Sequence, residues 1–155
     1  MLSTFPNPGL TWDDLAWLRG LTRLPLLVKG VLSAADARRA REQGIDGVIV
    51  SNHGGRQVDG AIASLDALVD VRAELGEDAT VLMDGGIRSG ADVLKALAIG
   101  ADAVLLGRPY VYGLAVGGEA GVAAVIRQLA AETDLTLALA GGRSARDLDR
   151  SFVAG

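Results

Sequence analysis

The sequence predicts a parallel α/β fold, and three observations carry that prediction. Short apolar runs rich in β-branched residues recur four times along the 155 residues. Each is followed by a segment with helical periodicity. Serine and glycine punctuate those segments where helices start and stop. Strands that alternate with helices and lack a polar face belong to a sheet covered by helices, which is the parallel case.

In chain order, Thr11-Trp12-Asp13-Asp14 opens a helix that runs through Arg19, with acidic residues in its first turn. Residues 26–29 form the first strand, and a helix over 33–43 follows between Ser33 and Gly44. The second strand covers 47–51, with a helix over 64–75 between Ser64 as N-cap and Gly76. A third strand at 80–84 leads to a helix over 89–99, from Ser89 to Gly100. The fourth strand covers 103–106, and an Ala/Leu-rich terminal helix runs from Gly118 to about Ala140. Trp12 and Trp17 are expected to pack, and Arg143 and Arg146 to lie on a solvated face.

Composition narrows the function classes. Apolar residues make up 50% and charged residues 22%, which is globular rather than disordered. A net charge of -4 offers no basic field for nucleic acid. Without cysteine there is no disulfide framework, thiolate metal site or cysteine nucleophile, and no metal site is predicted. Met1-Leu2-Ser3-Thr4-Phe5 lacks the basic and apolar regions of a secretory signal, and no run approaches a membrane span, so a cytoplasmic protein with no membrane partner is expected.

Polar residues and glycines collect at the C-terminal ends of the strands, at Lys29-Gly30, 51–56, 84–88 and Gly107-Arg108. Barrels of alternating strands and helices keep their active sites there, and glycine-rich loops after their last two strands bind phosphate. The four strands therefore correspond to strands five to eight of a TIM (β/α)8 barrel. A full barrel takes about 250 residues, so the 155 residues form one partial domain, the C-terminal half.

The chemistry concentrates in Ser51-Asn52-His53-Gly54-Gly55-Arg56-Gln57-Val58-Asp59, after the apolar run Val48-Ile49-Val50. His53 is the chain's one histidine, the side chain best suited to move a proton near neutral pH. Arg56 offers a planar fork that matches a carboxylate. A base beside a carboxylate clamp suits a small organic acid. Alone, either residue is more often structural or solvated; together at a strand end they point to a site.

This nine-residue run resembles the active-site signature of the FMN-dependent 2-hydroxy acid oxidases and dehydrogenases. The resemblance continues, in family order, through Leu27-Val28-Lys29-Gly30, Asp84-Gly85-Gly86-Ile87-Arg88 and Leu106-Gly107-Arg108-Pro109. Residues 10–15 and 110–114 are most similar to the lactate oxidase and lactate 2-monooxygenase branch. The resemblance implies FMN as cofactor and a small L-2-hydroxy acid, lactate-like, as substrate, oxidised to the 2-keto acid or its decarboxylated product. It implies His53 as the base and Arg56 as the carboxylate clamp. Lys29 would stand at the flavin N1-C2=O edge and Ser51 would hydrogen-bond the isoalloxazine. Asp84 would take ribityl hydroxyls, with Gly85, Gly86, Ile87, Arg88, Gly107 and Arg108 at the phosphate end.

The family's contributions from the first four strands, including an acidic partner for the histidine, have no counterpart in this chain. Three outcomes follow: self-association into a homo-oligomer, pairing with a complementary N-terminal half, or a truncated product with little activity. The competing functional reading is a non-catalytic half-barrel that keeps only FMN or phosphate binding. Inosine monophosphate dehydrogenase has similar Asp-Gly-Gly-Ile-Arg runs, but it works through a cysteine that is absent here. Isopentenyl diphosphate isomerases share the phosphate loops without the Ser-Asn-His-Gly-Gly-Arg-Gln run.

Overall fold

The computed structural model describes residues 9–153; the stretch read above as carrying no signal lies outside them. Four strands, β1 (Leu27–Val31), β2 (Gly47–Val50), β3 (Thr80–Met83) and β4 (Ala103–Val104), form one sheet in the order β1-β2-β3-β4. Every pair is parallel. The helices are α1 (Trp12–Leu21), α2 (Ala34–Glu42), α3 (Ser64–Leu75), α4 (Gly90–Ile99) and α5 (Arg108–Leu139). Parallel strands in sequential order, each joined to the next through a crossover helix, are the arrangement of a barrel wall.

Strand alternation decides which face is covered. Val48, Val50, Val81 and Met83 are buried and share a core with Ala37 and Ala40 of α2, Leu68 and Val71 of α3, and Ala96 of α4. The opposite face carries the paired row Lys29, Ile49, Leu82 and Ala103, and it is open to solvent. The sheet is thus half-covered, with β1 and β4 as unpaired edges.

Capping chemistry sets the helix starts. Ser33 and Ser89 act as N-caps, their hydroxyls accepting from the backbone N–H of Asp36 and Asp92. Thr11 caps α1, its N–H donating to the Asp14 carboxylate at 2.6 Å. Ser64 is not the N-cap of α3; Ala63 holds that position, and the serine hydroxyl is used elsewhere. Gly76 and Gly100 end their helices at positive φ, as expected, and Gly44 follows the Gln43 cap of α2.

Several boundaries differ from expectation. Strand β1 runs on to Val31 because Gly30, at φ 100, makes a bulge that shifts the register between Lys29 and Val31. Strand β4 is only two residues long. The terminal helix starts at Arg108 rather than Gly118 and breaks at Gly117–Gly118. Past that break the two segments cross at Gly113 and Gly121, so closely that a Cβ on Gly121 would overlap the Gly113 carbonyl oxygen. Two glycine backbones can approach this way; larger residues cannot.

Helix α5 carries an 18-residue window with a mean hydropathy of 1.3, apolar and long enough by length and composition to cross a membrane, although the helix is interrupted at Gly117–Gly118. None of its described residues is buried, and Tyr112, Leu114, Val116 and Leu139 are well exposed. Trp12 packs against the core and stacks under the Arg39 guanidinium, 5.2 Å from its ring centre, but Trp17 is 66% exposed rather than packed.

Candidate active site

The C-terminal ends of the strands meet in a cleft of about 180 Å³. Its walls come from Lys29 of β1, the loop after β2 (His53, Gly54, Arg56), the loop after β3 (84–88), and Leu105, Gly107, Arg108 and Pro109. Every residue predicted for the site lines this cleft except Ser51. That volume is below the roughly 300 Å³ at which enclosed small-molecule pockets begin. The open face of the sheet adjoins the cleft.

Ser51 lies beneath it, fully buried. Its Oγ accepts from Lys29 Nζ at 2.9 Å and from the backbone N–H of His53 at 3.0 Å. Ser51 thus holds a bracing position in which one hydroxyl ties the lysine to the histidine. The Lys29 ammonium is shared with Asp84, whose Oδ2 stands 2.8 Å away. The other oxygen, Asp84 Oδ1, is buried without a hydrogen-bond partner. A buried carboxylate oxygen left bare is costly, so it marks where a ligand donor belongs.

His53 has φ 53, the one positive-φ non-glycine residue among those described. It heads a tight turn, with Gly54 and Gly55 also at positive φ. Its imidazole sits over Gly30, where a Cβ would come within 2.8 Å of Cε1. The β1 bulge and the histidine's seat are therefore the same feature. Arg108, at the first turn of α5, reaches across to this turn, its Nη2 lying 3.2 Å from where a Gly54 Cβ would be.

Electrostatics separate the cleft from the rest of the chain. Four cations, Lys29, Arg56, Arg88 and Arg108, line it against the single carboxylate of Asp84, a local balance of +3 in a chain whose net charge is -4. Among the described residues, no hydrogen bond or ion pair occupies the guanidinium of Arg56, Arg88 or Arg108, nor the imidazole of His53. The backbone N–H groups of Gly85, Gly86 and Ile87 are likewise uncommitted. Gly85 and Gly86, at φ 91 and 81, turn the loop so that it meets the N-terminus of α4. Unspent donors, guanidinium groups and a helix start make an anion cradle.

The cradle is fastened from behind. Burial pushes the Asp92 carboxyl up, but the N–H groups of Arg88 and Ser89 and the Ser89 hydroxyl outweigh it and hold the group below its ordinary range. The carboxylate is therefore ionised at neutral pH, and its contribution is lost only as pH falls through that lowered value. Sequence reading missed Gly30 as the histidine's seat, and it missed Asn52 and Ser64, which brace the histidine turn. A serine read as a helix N-cap carries no signal that its hydroxyl reaches a loop twelve residues away.

Half of a (β/α) barrel with a cationic anion cradle beside a lone histidine is the arrangement expected of enzymes that hold an anionic cofactor at the C-terminal face. The chain belongs to the FMN-dependent dehydrogenase family, whose model matches residues 1–155. It is 58% identical over 147 residues to L-lactate oxidase of Nostoc sp., covering 95% of this chain and 40% of the relative. With 2-hydroxyacid oxidase 1 of Homo sapiens it shares 46% over 147 residues, again 95% and 40%. Among solved structures, the monotopic membrane protein (S)-mandelate dehydrogenase superposes with a TM-score of 0.92 at 48% identity, over 96% of this chain and 39% of that one. The chain thus spans about 40% of the length of these curated relatives. FMN is the cofactor of the family.

Proposed function

We propose that this chain carries the base-and-cofactor half of an FMN-dependent oxidoreductase that acts on small L-2-hydroxy acids of the lactate type. The supporting observation is that His53, Arg56 and the cationic cradle converge on one cleft with their side chains uncommitted. The residues present fit the cofactor. Asp84 Oδ1, buried without a partner, suits ribityl hydroxyl donors. Arg88, Arg108 and the N–H groups of Gly85, Gly86 and Ile87 suit its phosphate, with Gly107 leaving open space at the start of α5. Lys29, steadied by Ser51 and Asp84, would supply a fixed positive charge to the anionic edge of a bound flavin.

Bound FMN supplies the two-electron acceptor. The chain's own residues do the rest. Arg56 holds the substrate carboxylate through paired charge-assisted hydrogen bonds. The His53 imidazole nitrogen takes the proton of the 2-hydroxyl group. With the α-hydrogen and two electrons passing to that acceptor, the product is the 2-keto acid; its decarboxylated derivative would further require dioxygen as oxidant. The L-lactate oxidase relative is what favours lactate within the class.

A second reading, a half-barrel that only grips FMN, is favoured by one observation: no carboxylate holds the His53 imidazole among the described residues. Anaerobic FMN titration followed by L-lactate decides between them. Binding with loss of the visible flavin band, abolished in His53→Ala, supports the oxidoreductase. Binding without bleaching selects the grip. We further propose that the open face and the β1 and β4 edges are closed by a second copy or by a complementary N-terminal half. A dimer by sedimentation of the chain alone indicates the first; a monomer that dimerises only with an added N-terminal half indicates the second.

A further inference from the structure

Ser64 opens α3, yet its hydroxyl serves a different element. The residue is 4% exposed, and its Oγ accepts the backbone N–H of Asn52 at 3.0 Å. Asn52 immediately precedes His53, and its side chain is committed twice. Its Oδ1 accepts the N–H of Gly54 at 2.9 Å, and its Nδ2 donates to the Ile62 carbonyl at 3.3 Å. The left-handed backbone of His53 lies between these anchors. A non-glycine residue stays in that region only where its surroundings over-determine it. From the far side, Ser51 Oγ takes the His53 N–H.

The same pair also meets the phosphate-side loop. A Cβ on Gly85 would lie 2.9 Å from Ser64 Oγ and 3.2 Å from Asn52 Oδ1. Gly85 therefore packs directly on the serine and asparagine that set the histidine turn. A displacement of Gly85 presses on Asn52, and through it on His53.

We propose that Ser64 is a positioning residue: through Asn52 it sets the orientation of the His53 imidazole and couples it to occupancy of the Gly85-Gly86 cradle. The inference rests on the reading of His53 as the proton acceptor and names what aims it. A hydroxyl serving only to start α3 would leave the histidine indifferent to its loss.

His53 is the chain's one histidine, so its imidazole gives a single assignable set of NMR signals without cofactor or turnover. In the 155-residue chain, Ser64→Ala is expected to shift the His53 imidazole signals and the Asn52 and Gly54 amides. Ser64→Thr, which restores the oxygen, is expected to return them. Ser33→Ala removes a helix-start hydroxyl of the same kind from α2, one that accepts the Asp36 N–H at 3.1 Å, and is expected to leave them in place. Inorganic phosphate should move the His53 signals in the unaltered chain and fail to do so in Ser64→Ala. If Ser64→Ala does not fold, Ser64→Cys, which fills the site with a weak acceptor, should move the same peaks. Unchanged His53 signals in Ser64→Ala, or an equal response to Ser33→Ala, would overturn the proposal. Failure of the base reading would look different: these shifts would persist while lactate left the flavin band unchanged.

Discussion

Replacing Arg72 with alanine is expected to cost about 2–4 kcal/mol of folding stability, a large share of the roughly 5–15 kcal/mol typical of a folded domain. Arg72 is 7% exposed at the end of the sheet opposite the cleft. Its guanidinium makes four hydrogen bonds, donating to the carbonyls of Gly76 at 2.8 Å, Ala79 at 2.9 Å and Gly100 at 2.6 Å, and to Asp102 Oδ2 at 2.9 Å. The same Asp102 oxygen accepts from Val81 N–H at 2.7 Å. One side chain therefore ties the end of α3, the start of β3, the end of α4 and the approach to β4.

Alanine leaves three carbonyls without this donor and opens a cavity where the stem lay. Arg72→Met keeps most of the stem's packing and removes only the donors, so the difference between the two variants separates packing from polar loss. Urea denaturation reads both. A lower midpoint at an unchanged slope would show destabilisation of the same folded state. A midpoint unaffected by either change would mean the carbonyls find water, and the network holds nothing.

Arg108→Ala is expected to weaken FMN binding by about 10- to 150-fold, the equivalent of roughly 1.5–3 kcal/mol for losing a charge-assisted contact. Arg108 begins α5 and reaches the cleft beside Gly54 without a protein partner, so its charge is available to an anion. Riboflavin, which lacks the phosphate, separates this role from general damage. The unaltered chain should prefer FMN to riboflavin, and Arg108→Ala should lose most of that preference while its riboflavin affinity holds. Arg143→Ala, a change on an exposed residue outside the cleft, should alter neither affinity. An equal fall for both flavins would assign Arg108 to the shape of the cleft and not to the phosphate.

Both predictions draw on opposite ends of the same strands, and the ends differ in how legible they are. At the cleft, the residue types announced themselves. Lys29, His53, Arg56, Asp84, Arg88 and Arg108 are polar groups beside glycines just past apolar strands, a pattern chain order alone reveals. At the other end, Arg72 falls inside a helical run ending Arg-Ala-Glu-Leu, where arginine is ordinary. Nothing local distinguishes it from Arg38, which spends its guanidinium on Glu74 at the surface.

The strand–helix alternation, the order of the sheet and the membership of the cleft were determined by the sequence alone. The alternation follows from local periodicity and capping residues, and the strand order and the cleft follow from the parallel barrel wall it implies, with polar residues and glycines just past the strand ends. The tertiary structure decided the remainder: Ser51 and Ser64 as braces and Gly30 as the histidine's seat. It also decided the fold-back of α5 at Gly113 and Gly121, and the burial of Arg72. In each of these a small or polar residue meets a partner between 8 and 30 positions away. Which backbone comes to stand beside it is settled by how whole strands and helices pack, and residue type carries no mark of that.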